Sequence, residues 1–158
     1  VEQTGTPGLQ ALVDAFGQRI LLADGALDRQ AIGRIVFNNP ADLKQLVRII
    51  DPFIREEIFS QLKRYRDAEL TVLDAPTLFE NGYVHLVDEV VVVYCDPVTQ
   101  LQRLIKRNKL SIVSAIKRIG NQWPLQTKCD LADTIIYNSG TMTTTLTQVD
   151  RWLAKETK

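Results

Sequence analysis

Glu89-Val90-Val91-Val92-Val93-Tyr94-Cys95 runs directly into Asp96-Pro97, and this junction decides the fold. Four consecutive valines favour an extended chain, and an apolar run without polar alternation suits a strand buried on both faces, as in a parallel sheet. Asp96-Pro97 is a helix cap followed by a first-turn proline, and Leu101, Leu104 and Ile105 then recur at helical spacing. Two similar runs flank this unit: Leu70-Thr71-Val72-Leu73-Asp74-Ala75 before it, and Asp133-Thr134-Ile135-Ile136-Tyr137 after it, closed by the turn Asn138-Ser139-Gly140. Between them, Ser111 caps a helix with Val113, Ile116 and Ile119, and Pro124 opens a shorter one. A last helix from about Met142 is expected to turn Leu146, Val149, Trp152 and Leu153 inward. Strands alternating with helices predict an α/β fold with a parallel sheet.

The first third is helical. Thr6-Pro7 starts a helix with Leu9, Leu12, Val13 and Phe16, and Gly17 ends it. Ala23-Asp24-Gly25 is a turn, and Asp28 caps a second helix with Ile32, Ile35, Val36 and Phe37. Asn39-Pro40 opens a longer one, lined by Leu43, Leu46, Val47, Ile50, Phe53, Ile54, Ile58 and Leu62, which Pro52 is expected to kink or divide.

At 158 residues the chain can bury a real core, as one domain or a core with an inserted lobe. Nineteen basic and nineteen acidic side chains cancel, which argues against a whole-molecule field for nucleic acid or an anionic membrane and leaves room for a local basic cluster. Cys95 and Cys129 form no CxxC, so no zinc site or disulfide framework is indicated, and Cys95 reads as a small buried hydrophobe. No apolar stretch is long enough to span a bilayer and no signal peptide is evident, which makes the cytoplasm the expected compartment. The chain begins at Val1 and opens into Glu2-Gln3-Thr4-Gly5 with no preceding element, so an upstream segment is expected.

Two groups of residues could carry chemistry. Asp74-Ala75-Pro76-Thr77-Leu78-Phe79-Glu80 places a carboxylate at the C-terminal end of an expected strand, where open α/β sheets hold ligands. Asp74 could orient a hydroxyl or hold a metal; it reads equally as a turn cap, with Glu80 solvated. Arg103, Lys106, Arg107, Lys109, Lys117 and Arg118 form a basic series, with Arg103 sharing a helix face with Lys106 and Arg107. Planar, permanently charged guanidinium groups suit phosphate, although such a run also describes a solvated helix face. Asn138-Ser139-Gly140 is a turn first. His85 has no identifiable Ser or Cys partner, and Trp123 and Trp152 read as packing residues. No glycine is followed by lysine, so the chain contains no Walker A sequence, and G-x-G-x-x-G is absent too.

Taken in order, several segments resemble one family, the dephospho-CoA kinases. Thr6-Pro7-Gly8, Phe16-Gly17, Asp24-Gly25-Ala26-Leu27-Asp28-Arg29 and Ile35-Val36-Phe37 resemble the stretch after that family's second strand. Ile49-Ile50-Asp51-Pro52-Phe53-Ile54 is similar to its His-Pro segment, and Asp74 to Glu80 to its D-x-P-L-L-F-E loop. Gln100-Leu101-Gln102-Arg103 through Arg107-Asn108 resembles the helix ending in Arg-Asp, Ala115 to Gln122 the A-x-x-R-I-x-x-Q helix, and Ala132 to Gly140 the A-D-x-x-I-x-N-x-G strand and turn. Asp51 stands where the family has histidine, and Asn108 where it has aspartate.

The resemblance implies a P-loop kinase fold with a core of residues 1–24 and 67–158, an inserted helical lobe at 25–66 that binds the coenzyme A moiety, and a lid at about 107–122. It implies transfer of the ATP γ-phosphate, with Mg2+, to the ribose 3′-hydroxyl of dephospho-CoA. Arg103 and Arg107 would be the catalytic cations. Asp74, Pro76, Leu78, Phe79, Glu80 and Arg29 would bind substrate, Arg118 and Gln122 would act from the lid, and Asn138 and Gly140 would lie near the nucleotide. No protein metal ligand is assigned. In the family a strand, a Gly-rich loop with its lysine, a helix and a second strand with a catalytic aspartate come before the stretch that Val1 opens, about 35 to 40 residues. The 158 residues alone are therefore expected not to phosphorylate dephospho-CoA. The reading from another class is a non-catalytic descendant that binds a CoA-like ligand or a protein partner.

Overall fold

Three helices begin with a hydrogen-bonding cap followed by proline, whose fixed φ and missing N–H suit the first helical turn. In the computed structural model, which describes residues 2–156, these are α1 (Pro7–Phe16), α3 (Pro40–Arg64) and α4 (Pro97–Asn108). Thr6 Oγ1 accepts from the Leu9 N–H at 3.4 Å, Asn39 Oδ1 from Ala41 at 3.0 Å and Asp96 Oδ1 from Thr99 at 2.9 Å. Asp28 caps α2 (Arg29–Val36), accepting from the N–H groups of Gln30 and Ala31, both at 2.9 Å. Gly17, at φ 78°, ends α1 in a conformation that other residues enter only with strain.

The chain divides into two compact units between Ala68 and Glu69. In the first, Leu12 and Phe16 of α1 pack with Ile20 and with Ile32 and Val36 of α2, and Leu43 and Leu46 of α3 cover this cluster. The sequence reading assigns residues 1–24 to the kinase core; here they share a unit with residues 25–68, because the apolar stripe of α1 is buried against α2 and α3. Pro52 does not divide α3, which runs unbroken for 25 residues. An ion pair between Arg55 Nε and Asp51 Oδ2 at 2.7 Å spans the proline, one helical turn apart, and supports the turn that lacks a backbone donor.

In the second unit, β1 (Val91–Tyr94) and β2 (Thr134–Tyr137) run parallel, pairing Val91 with Thr134 through Tyr94 with Tyr137. The crossover contains α4, α5 (Ile112–Gly120) and α6 (Leu125–Asp130), and α7 (Met142–Glu156) follows β2. The parallel sheet is as the sequence predicts, but three expectations fail. Residues 70–75 form no strand among the described residues: the segment is irregular and Val72 is 69% exposed. An apolar run becomes a strand only where a neighbour takes up its N–H and C=O groups, and neither β1 nor β2 does so. The valine run is not buried on both faces, since Val93 is 53% exposed. Nor do Val113, Ile116 and Leu146 face a core; the buried residues on their helices are Ala115 and Thr145.

Side chains finish the sheet. Gln148 of α7 accepts from the Tyr137 N–H at 2.9 Å and donates to the Tyr137 carbonyl at 2.8 Å, so its amide stands in for a neighbouring strand. Glu89 Oε1 accepts from Thr134 Oγ1 at 2.7 Å and from Trp152 Nε1 at 3.0 Å, which ties α7 to the start of β2. Among the described residues no helix is long and apolar enough to cross a membrane.

Candidate functional site

The turn after β1 and the turn after β2 lie side by side, as the register requires, and they start the site. The Asp96 N–H donates to Ser139 Oγ at 2.9 Å, and Asn138 N–H to the Tyr94 carbonyl at 2.6 Å. Hydrogen bonds from the Thr99 side chain and backbone, aided by Ser139, hold the Asp96 carboxyl down at about 2. Its lasting negative charge sits at the N-terminus of α4, where the helix dipole favours it.

On that footing α4 presents one face to a cleft of about 880 Å³ within the second unit. Gln100, Arg103, Leu104 and Arg107 share the helical i, i+3, i+4, i+7 face and all line it, together with Lys106. Arg118, Ile119 and Gln122 contribute from α5 and the residues after it, Pro76 from the loop before β1, and Cys95 and Asn138 from the strand ends. Four cations line this cleft and no carboxylate does. Arg103 Nη1 donates to the Asn138 carbonyl at 2.6 Å, which fixes one edge of the guanidinium and leaves its other donors for a ligand. Arg107 Nε donates to Asn108 Oδ1 at 3.0 Å, a neutral partner that does not cancel the charge. Burial pushes the Cys95 thiol up, with Arg103 opposing and Asp96 adding to the effect, so Cys95 remains a thiol at neutral pH. It is half-buried rather than fully buried, and Cys95 and Cys129 are both free.

The structure thus brings Pro76, Arg103, Arg107, Arg118, Gln122 and Asn138 together at one cleft. Leu78, Phe79 and Glu80 do not line it; they support the loop from behind. Leu78 is buried, and Phe79 stacks on Trp123 with ring centres 6.2 Å apart. Glu80 is not solvated: its Oε1 lies 2.7 Å from Lys128 Nζ and accepts from the Trp123 N–H at 2.8 Å. Burial alone would raise the Glu80 carboxyl, but the hydrogen bonds from Lys128 and Trp123 outweigh it and hold the group below its ordinary range. Asp74 and Gly140 are exposed outside the cleft lining, and Arg29 belongs to the first unit, where it pairs with Glu2 at 2.9 Å. His85 is exposed on a single helical turn.

Sequence reasoning missed Gln100 and Lys128. Helical periodicity counted back from Arg103 would have found Gln100. Nothing local marks Lys128, whose partners Pro76 and Glu80 are about fifty residues away.

A family model described as dephospho-CoA kinase matches residues 1–144. The dephospho-CoA kinase of Enterococcus faecalis is 38% identical over 153 residues, 96% of this chain and 77% of the relative. That of Bacillus anthracis is 42% identical over 157 residues, 98% of this chain and 78% of the relative. Among solved structures, a Thermus thermophilus protein superimposes with a TM-score of 0.66 at 25% identity, covering 93% of this chain and 75% of its own. The dephospho-CoA kinase of Campylobacter jejuni gives 0.62 at 26% identity, over 94% and 75%.

Proposed function

This chain belongs to the dephospho-CoA kinase family, and from that premise we propose how its residues serve transfer of a phosphoryl group from ATP to the ribose 3′-hydroxyl of dephospho-CoA, the step that yields coenzyme A. The observation that carries the proposal is the cleft lined by Arg103, Lys106, Arg107 and Arg118 with no carboxylate among its lining residues. Phosphoryl transfer asks a protein for positioning and for neutralisation of charge on phosphate oxygens, and forked guanidinium groups on a helix face supply both. On this reading Arg103 and Arg107 neutralise the phosphates in transfer, and Arg118 and Gln122 join them from a lid at residues 107–122. The Asp74–Glu80 loop shapes the acceptor side, with Pro76 at the cleft itself, and Asn138 and Gly140 flank the nucleotide. Residues 25–66 form the helical substrate lobe, with Arg29 among its substrate contacts. The setting is cytoplasmic.

ATP enters as co-substrate. Mg2+ would come with it, held mainly by the substrate phosphates and water, since among the described residues no group of three or more His, Cys, Asp or Glu could hold a metal ion; no step is assigned through it. The two departures from the family pattern have local accounts: Asp51 is taken up by Arg55, and Asn108 accepts from Arg107 as the neutral isostere of aspartate. The relatives at about 40% identity carry the kinase's name, which does not favour a non-catalytic descendant.

Calorimetric titration tests the reading with three ligands. Dephospho-CoA and ADP, which carry phosphates, are expected to bind, and adenosine, which carries none, to give no measurable heat. Adenosine binding as tightly as ADP, or no binding of dephospho-CoA, would overturn it.

A further inference from the structure

Lys128 is the most thoroughly buried cation described, with its side chain 8% exposed, and such a group is retained only where its charge is paired and hydrogen-bonded. Its ammonium meets two acceptors. The Pro76 carbonyl is at 2.9 Å and Glu80 Oε1 at 2.7 Å, and the same carboxylate oxygen accepts from the backbone N–H of Trp123. Pro76 lines one wall of the cationic cleft, and Gln122, the residue before Trp123, lines another. A single continuous path, Pro76 carbonyl to Lys128 to Glu80 to Trp123 N–H, therefore joins two walls of the cleft behind its surface. Phe79 stacked on Trp123 packs the same junction. Glu80 Oε2 is buried without a hydrogen-bond partner, so this carboxylate depends on what its other oxygen meets.

We propose that Lys128 is a positioning residue: it holds the Pro76 loop and the Gln122 end of the α5 segment at a fixed separation, and so sets the width of the cleft for the phosphates of the substrates. The identity of those substrates rests on the functional reading above; the tie between the walls does not. Lys128 does not touch the ligand. Replacing it removes the cation that compensates the buried Glu80 carboxylate and frees the Pro76 carbonyl, so the Glu80 oxygen that holds the Trp123 N–H loses its own anchor.

The test uses a Trp152→Phe background, in which Trp123 is the sole tryptophan. Lys128→Met keeps the length of the side chain and removes the charge. Trp123 is already 45% exposed, so at temperatures well below melting its acrylamide quenching is expected to rise by up to about two-fold, and dephospho-CoA affinity to fall about ten-fold. Adding Glu80→Gln to Lys128→Met should cost no further affinity, because the two act as one unit. Should Lys128→Met not fold, Glu80→Gln alone is expected to give the same rise in quenching. A role in stability only would lower the melting temperature and leave Trp123 quenching and affinity as in the parent, and that result overturns the proposal. If the parent itself fails to bind dephospho-CoA, the substrate reading is lost while the quenching result still decides whether the walls are tied.

Discussion

Arg103 and Arg107 line the same cleft in different states of engagement. Arg103 is anchored on the Asn138 carbonyl, and Arg107 leans on the side-chain oxygen of Asn108. Hydrogen bonds between charged groups contribute roughly 1.5–3 kcal/mol each, so Arg103→Gln and Arg107→Gln are each expected to weaken ADP and dephospho-CoA binding about ten-fold or more by calorimetry. Both variants should melt close to the parent temperature. Two carboxyls predict acid sensitivity. Glu80 and Asp96 are both held below their ordinary values in the folded protein, so each stabilises the fold above its unfolded pKa and loses that contribution as pH falls through the folded one. For Asp96 the window runs from 3.8 down to about 2. Asp96→Asn keeps a good helix cap and removes the titration. Its denaturation midpoint, measured from pH 5 to pH 2, is expected to fall less steeply than the parent's.

The helix starts were legible because caps and prolines are local: Thr6, Asp28, Asn39, Asp96 and Ser111 all cap where the sequence places them. Partnership across the chain was not. The 70–75 run looks like a buried strand by composition, yet strand formation is decided by a hydrogen-bonding neighbour that no local pattern names. Val113 and Ile116 likewise look like a core face and are exposed, because periodicity shows which residues share a side and not what covers it. The shared face of Arg103 and Arg107 is legible from helical spacing, but what it binds is not, since a phosphate-binding face and a solvated face share one periodicity. Pro52 offers a test at this level. It lies exposed within an unbroken helix, where proline removes a hydrogen bond at a cost of about 3 kcal/mol relative to alanine. Pro52→Ala is expected to raise the urea midpoint, by about 1–3 kcal/mol in stability; an unchanged or lower midpoint would mean that the helix needs the proline.

Across the whole molecule, charge is balanced overall and concentrated locally. Nineteen cations face nineteen anions in the sequence, yet the cleft gathers four cations and no carboxylate. Ligand binding there should therefore weaken with added salt even though the net charge is zero, as screening acts on the local field. The helical unit depends on a different interaction. Leu12, fully buried between Phe16, Ile20 and Val36, is expected to cost 2–5 kcal/mol on truncation to alanine, about as for other core leucines. Substrate phosphates seated against the α4 face would be seen by nitrogen-15 chemical-shift mapping with ADP and dephospho-CoA added in turn. The largest shifts are expected at Arg103, Arg107, Arg118, Gln122 and Asn138. Shifts that spare these five and gather instead around the smaller cavity of about 470 Å³ bordered by Thr6, Gln10 and Gln18 would contradict that seating.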